Sequence, residues 1–353
     1  MSVPNQWAVT TGLTESAKPL DFKDRSTGLA IFGTLQLAMG GLAALMVPLM
    51  LLSLAVSPQS GGTSAAQMIP AAVAYSFVAV AFATLGVGSI RARRWARALT
   101  LVLAWMWLAV GIISLVSMIL FIPNMTNMLS TQKQASTPMM MNAVFVMMII
   151  MMTFIYVVVP GVFIIFYGRY DVKATCEWRD PQIRWTDRCP LPVLSLSLML
   201  GFAATSVLWS AGYGFVAPFF GIILKGVAGA ILFMGISLLF GYLAWATYKQ
   251  KIAAWWTTLG TFLLLGLSTI ISFSAISLMD LYREMGFPKD QLDMMERSGA
   301  FGMNLPLMMG INLLVFVGYL FWVRGYFDVA VDPPSPPPSS PDPPSSNPLV
   351  SGL

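Results

Sequence analysis

The sequence predicts an all-α fold: a polytopic membrane bundle of eight transmembrane helices, built as two parallel tandem four-helix repeats. Three observations predict it. Hydrophobic residues make up 57% of the 353 and charged residues 10%, against about 25% charge in a soluble domain, so most of this apolar surface needs lipid as its solvent. Eight charge-free apolar runs occupy residues 28–56, 67–90, 98–122, 138–167, 191–212, 226–248, 252–279 and 301–323. Each matches or exceeds the ~20 residues that cross a hydrocarbon core as a self-satisfied helix. A membrane β-barrel would instead show segments of about 10 residues with alternating polarity. The third observation is that short motifs recur along the chain at nearly constant intervals.

Residues 1–23 form a polar N-terminal segment. A secretory signal would place a short apolar stretch near the start and close it with a small-residue cleavage site. The first run is longer and starts later, so it reads as a retained signal anchor. No charge separates Arg25 from Arg91, which is too long for one crossing and resolves into the first two runs. Pro48 falls in the first run, Pro160 and Gly161 in the fourth and Pro306 in the eighth. Each proline frees backbone groups and favours a kink. Gly40 and Gly41 with Ala43 and Ala44, and Gly86 with Gly88, suit close helix contacts.

The net charge of +5 does not point to nucleic acid, because the basic residues gather at alternate helix ends. Lys18, Lys23 and Arg25 precede the first run, and Arg91, Arg93, Arg94 and Arg97 separate the second from the third. Arg169, Lys173, Arg179, Arg184 and Arg188 lie between the fourth and fifth, Lys249 and Lys251 between the sixth and seventh, and Arg324 after the eighth. The opposite ends hold only Lys133, Lys225, Arg283, Lys289 and Arg297. This positive-inside pattern predicts a multi-pass protein of a cell membrane, the cytoplasmic membrane of a bacterium, with both termini cytoplasmic.

The repeats are read from paired motifs. YGRYDV closes the fourth run and RGYFDV the eighth, so that Asp171 answers Asp328. Asp24-Arg25 answers Asp187-Arg188, and Gly41 answers Gly201. Phe82 and Arg91 answer Phe240 and Lys249, and Ile112-Ile113-Ser114 answers Ile270-Ile271-Ser272. The separations fall in order from 163 through 160 and 158 to 157, the one-way drift that a duplication with small deletions leaves. An even number of helices per repeat makes the halves parallel, related by an axis along the membrane normal. The expected units are residues 24–172 and 187–329, joined by a cytoplasmic linker at 173–186 and followed by a Pro/Ser-rich tail at 330–353. That tail's composition predicts disorder with polyproline II character.

The chain has no His, and no Asp or Glu falls inside any of the eight runs. Intramembrane ionisable groups mark proton relays and ion pathways, so a proton-coupled pump is not expected. His-based metal sites and nucleophile–His pairs are absent with the residue itself. Lys225 stands next to one span, where an outer anion site competes with simple snorkelling to headgroups. Met125 and Met128, spaced i, i+3 in a methionine-rich segment, offer soft ligands suited to Cu(I), against methionine's commoner use as apolar filler. Cys176 and Cys189 are the only cysteines and sit in the linker, where a reducing compartment disfavours a disulfide and two thiolates alone do not complete a zinc site. Trp178 and Trp185 among basic residues suit a headgroup-level strap. The carboxylates of residues 280–297 match no EF-hand spacing and read as a solvated helix face.

The expected function is therefore non-enzymatic, a membrane-embedded structural or accessory subunit. The alternative is a transporter or channel for a neutral or hydrophobic solute, not coupled to protons. No cofactor is expected. The expected partners are membrane lipids and a protein docking on the linker or the Pro-rich tail.

Overall fold

The computed structural model describes residues 22–56, 65–131, 138–297 and 304–327. Eight helical spans cross it: Ser26–Leu52, Ala71–Ile90, Arg94–Met118, Ala143–Tyr167, Leu191–Ala211, Gly226–Tyr248, Ile252–Ala275 and Leu305–Arg324. The chain is thus an all-α, multi-pass integral membrane bundle, and every span carries exposed Leu, Ile, Val or Phe side chains. The N-terminal segment up to residue 21, Asp328, Val329 and the Pro-rich tail lie outside the described residues.

The first two spans are α1 (Ser26–Val56) and α2 (Ala65–Ile90). They meet backbone to backbone. A Cβ added at Gly33 would stand 2.7 Å from the Gly86 carbonyl oxygen, and one added at Gly86 would stand 2.7 Å from that of Gly33. Only a residue without a side chain permits this approach. The third span is α3 (Arg94–Thr131).

The fourth span is composite. α4 (Pro138–Thr153) passes through a π-helical turn at Phe154–Val158 into α5 (Val159–Tyr167). Pro160 cannot donate to the carbonyl four residues back, and the wider turn absorbs the missing bond. The kink expected from Pro160 and Gly161 therefore takes the form of a π-bulge.

The connection between the halves is itself structured. α6 (Tyr170–Arg179) and a 3-10 turn at Trp185–Arg188 lead into α7 (Leu191–Val207). After a 3-10 turn at Leu208–Tyr213 comes the one element among the described residues that is not helical, a hairpin of β1 (Ala217–Phe219) and β2 (Ile222–Leu224). Phe220 and Gly221 turn it with φ of 44° and 83°, a two-residue turn matched to strand twist. The remaining helices are α8 (Gly226–Tyr248), α9 (Ile252–Ala275), α10 (Leu278–Glu284), α11 (Lys289–Arg297) and α12 (Leu305–Arg324). The hairpin is pinned to α9, because the Phe220 and Gly221 N–H groups donate to Ser268 and Ser272 Oγ at 3.0 and 3.1 Å.

Each half has its own core. In the first, Leu29, Leu101, Phe163 and Tyr167 pack against Val172 and Cys176 of α6. In the second, Leu194, Leu200, Leu243, Trp255, Leu320 and Val323 are almost wholly buried. Polar groups inside these cores are used to staple helices. Gln36 Nε2 donates to Thr100 Oγ1 at 3.0 Å, Ser89 Oγ donates to Gln36 Oε1 at 3.2 Å, and Tyr167 OH donates to Ser89 Oγ at 2.8 Å. One network thereby ties α1, α2, α3 and α5. In the second half, Trp255 Nε1 donates to the Leu320 carbonyl at 2.7 Å, and Ser195 Oγ lies 2.6 Å from Tyr319 OH.

The short turns at the arginine-rich end match at an interval of 158 residues. Ala92 and Gln250 both take positive φ, at 50° and 53°. Ala92 N–H donates to Ser89 O and Arg93 N–H to Gly88 O, each at 2.9 Å. Gln250 N–H donates to Thr247 O at 2.8 Å and Lys251 N–H to Ala246 O at 3.2 Å. These are Schellman-type closures of the same geometry.

Candidate functional site at the basic end

The residues with the most chemistry converge on the arginine-rich end of the bundle, where α6 lies across the helix ends of the first half. Its position follows from sequence. Gly168 ends the fourth span, and Tyr170–Arg179 then alternates charged residues with Val172, Thr175 and Cys176, which are buried. Those three face the bundle, and the charges face its rim.

Ion pairs fasten this strap to the rim. Arg25 meets Asp171 at 3.4 Å and Arg179 meets Asp24 at 3.7 Å. Arg94 lies 3.5 Å from Glu177 and 3.6 Å from Asp187. The Arg25 N–H donates to Thr175 Oγ1 at 3.1 Å, so the start of α1 is also held through its backbone. The second half joins through Tyr248 OH, which donates to the Trp185 carbonyl at 2.9 Å, and through α3, which packs against α7 and the 3-10 turn before it.

Asp180 is the centre of the cluster. Its side chain is 2% exposed and accepts from Arg184 Nη2 at 2.9 Å, Arg184 Nε at 3.2 Å and Arg93 Nη1 at 3.5 Å. The two Arg184 bonds make the planar fork that suits a carboxylate. The Arg184 hydrogen bonds first, then its charge, a hydrogen bond from the Arg94 backbone and the Arg93 charge, hold the Asp180 carboxyl below the usual carboxylate range against the opposing effect of burial. Arg184 is shifted upward by the same bond.

The two thiols do not form a reactive pair. Cys176 lies in the first-half core and Cys189 in the second-half core; both are free and buried. Burial pushes each thiol up to about 11, so both stay protonated and poorly nucleophilic near neutral pH.

Beside the cluster, a recess of about 560 Å³ opens between the end of α2, the start of α3 and Arg184 of the linker. A second hollow of about 640 Å³ lies between α8 and α9, lined by Ile231, Gly235, Leu239, Gly260 and Leu264 with Phe219 of the hairpin. It is apolar and carries no charged group.

The other sequence candidates fall elsewhere. Lys225 stands just ahead of α8 at the opposite end, its Nζ 2.8 Å from Glu284 Oε2 of α10, so the pair carries no net charge. Asp280 pairs with Arg283 at 3.0 Å, and the acidic stretch forms α10 and α11, with Asp293 exposed. Met125 and Met128 belong to the backbone of α3, but their side chains lie outside the described residues, as does Lys133. Among the described residues, no group of three or more His, Cys, Asp or Glu side chains is placed to hold a metal ion.

Sequence reasoning passed over Asp180 and Gln36. The signal for Gln36 was visible, since it is the one amide within residues 28–56. Asp180 gave none, since nothing in the order of residues brings Arg93 to it.

Fold and site together define a polytopic α-helical membrane protein whose arginine-rich end is closed by a linker helix. Comparison with protein-family models, with curated proteins and with solved structures finds no match for the chain.

Proposed function

We propose that the protein is a non-enzymatic, membrane-embedded structural or accessory subunit, with its basic end and both termini in the cytoplasm. The observation that carries this reading is the cross-braced basic end. Arg25–Asp171, Arg179–Asp24, Arg93–Asp180 and the two Arg94 pairs bind the linker to the helix ends it covers. These pairs brace the linker on the first half, and the Tyr248–Trp185 bond with the packing of α3 on α7 joins the second half to it. A body joined in this way suits a scaffold better than alternating access, which needs one half to rock against the other. The orientation is supported by the excess of Arg and Lys at this end.

The reading includes a tandem duplication of a four-helix unit. It is supported by the matched turns at Ala92 and Gln250 and by the buried positions of the first helix in each half: Gly33, Gln36 and Gly40 answer Val193, Leu196 and Leu200 at an interval of 160.

A second reading, a carrier for a hydrophobic solute, draws on the apolar hollow between α8 and α9. One comparison separates the two. The tagged protein is purified from its own membranes in mild detergent, and the same preparation is reconstituted into vesicles. The subunit reading expects a protein partner at fixed stoichiometry through two successive columns, and no protein-dependent flux of neutral or apolar solutes. A lone chain that moves such a solute would replace the first reading by the second.

A further inference from the structure

We infer that the recess between α2, α3 and the linker is a binding site for an anionic phospholipid, with the phosphate among three arginines and one acyl chain along α2. Arg91, Arg93 and Arg184 line it, together with Trp95. The arginines come from two places in the chain, the turn after α2 and the linker, and converge because the two meet at Asp180. That carboxylate, itself nearly inaccessible, grips Arg184 by two bonds and Arg93 by one. It therefore orients two guanidiniums beside the hollow before any ligand arrives, while the Arg184 and Arg93 side chains remain 32% and 40% exposed. Arg91 is exposed and has no ion-pair partner among the described residues. A second carboxylate, Asp187, accepts from the Arg184 backbone N–H but is paired with Arg94, so the three arginines keep a local excess of positive charge, and planar guanidiniums match phosphate oxygens bidentately.

The rest of the wall is apolar. Ala83, Thr84, Val87 and Gly88 of α2 continue from the arginines toward the middle of the span. Gly88 lets the Trp95 ring lie against α2, since a Cβ there would stand 2.9 Å from that ring. An indole at the boundary between a charged rim and an apolar wall is the usual occupant of the headgroup level. A basic pocket over an apolar groove at a helix end suits a headgroup with its chain attached. A free phosphate would use only the upper half. The inference rests on the protein being membrane-embedded and not on the subunit reading, and it holds in either leaflet.

The test uses the full chain in mild detergent, with bound lipid counted by native mass spectrometry. Phosphatidylglycerol and phosphatidylcholine of identical acyl chains are the probes, and thermal stability of each variant is the folding control. The wild type is expected to take one phosphatidylglycerol in preference to phosphatidylcholine. R91Q should weaken that binding about fivefold while leaving phosphatidylcholine unchanged. V87W, which fills the acyl path on an exposed face of α2, should weaken it as well. Arg169, exposed on the same rim but outside the recess, serves as the charge control, and R169Q should have no effect. The inference is overturned if R91Q and V87W both bind as the wild type does, or if R169Q weakens binding as much as R91Q, which would indicate diffuse charge. It is also overturned if glycerol phosphate displaces the lipid at equal concentration, which would assign the site to a soluble anion.

Discussion

At the scale of single residues, the groups that matter most are polar side chains buried where their partners are fixed. Asp180 is one. D180N would keep the shape but lose the charge that Arg184 and Arg93 face. Both arginines are partly exposed and can rehydrate, so the cost belongs at the lower end of that for broken buried pairs, about 2 kcal/mol. The loss should appear as a lower melting temperature in detergent at pH 7. The carboxyl is held below its ordinary value of 3.8, so its contribution is full above about pH 5. It fades as pH falls through the carboxylate range toward the folded value, and the gap between wild type and D180N should close in acid. Gln36 supplies a second case. Under the proposed duplication its counterpart in the second half is Leu196, while Ser89 and Thr100 answer Thr247 and Thr258 at an interval of 158. The hydroxyls of both threonines are buried without a protein partner. L196Q, close to isosteric, would give them the amide that the first half has. Interhelical bonds of this kind contribute about 0.6 kcal/mol each, so L196Q is expected to raise thermal stability by roughly 1 kcal/mol. A fall of that size would contradict the correspondence of the two halves.

At the scale of elements, the contact between α1 and α2 depends on glycine at chosen positions. G33A would place a methyl against the Gly86 carbonyl, 2.7 Å away, and separating two backbones costs about 1–3 kcal/mol. G41A, with nothing within 4 Å, should be neutral or mildly stabilising, because Ala is the better helix former by about 1 kcal/mol. Thermal melts of the two variants measure the contrast. Gly40, Gly86 and Gly88 could be picked out from sequence as contact makers, but Gly41, expected with them, faces open space, and Gly33 was not picked out. A glycine's partner is set by which helix lies opposite, and apolar runs of one composition do not encode that. The hairpin at β1 and β2 was hidden for a related reason. Phe219 to Leu224 reads as more apolar chain, and only the left-handed turn at Phe220 and Gly221, held by Ser268 and Ser272, makes it a strand pair.

At the scale of the whole molecule, the eight spans were legible because helices in lipid need only length and apolarity, and both are written locally. The braced basic end was not, since Arg93–Asp180 and Arg25–Asp171 join residues 87 and 146 apart. The positive-inside orientation has its own test. Reporter fusions after Ala92, Ala174 and Lys251 are expected to report the cytoplasm, and fusions after Gly214 and Asp290 the outside; one reversed neighbour would change the span count. The central claim is that strap, rim and both halves form one braced body. The direct measurement is a spin-label distance across the basic end in lipid vesicles, between K173C on α6 and K249C at the end of α8, both exposed. The braced body predicts a single narrow distance distribution, unchanged by added apolar solutes or by a pH gradient. Two distances whose weights shift with solute would contradict it and describe halves that rock.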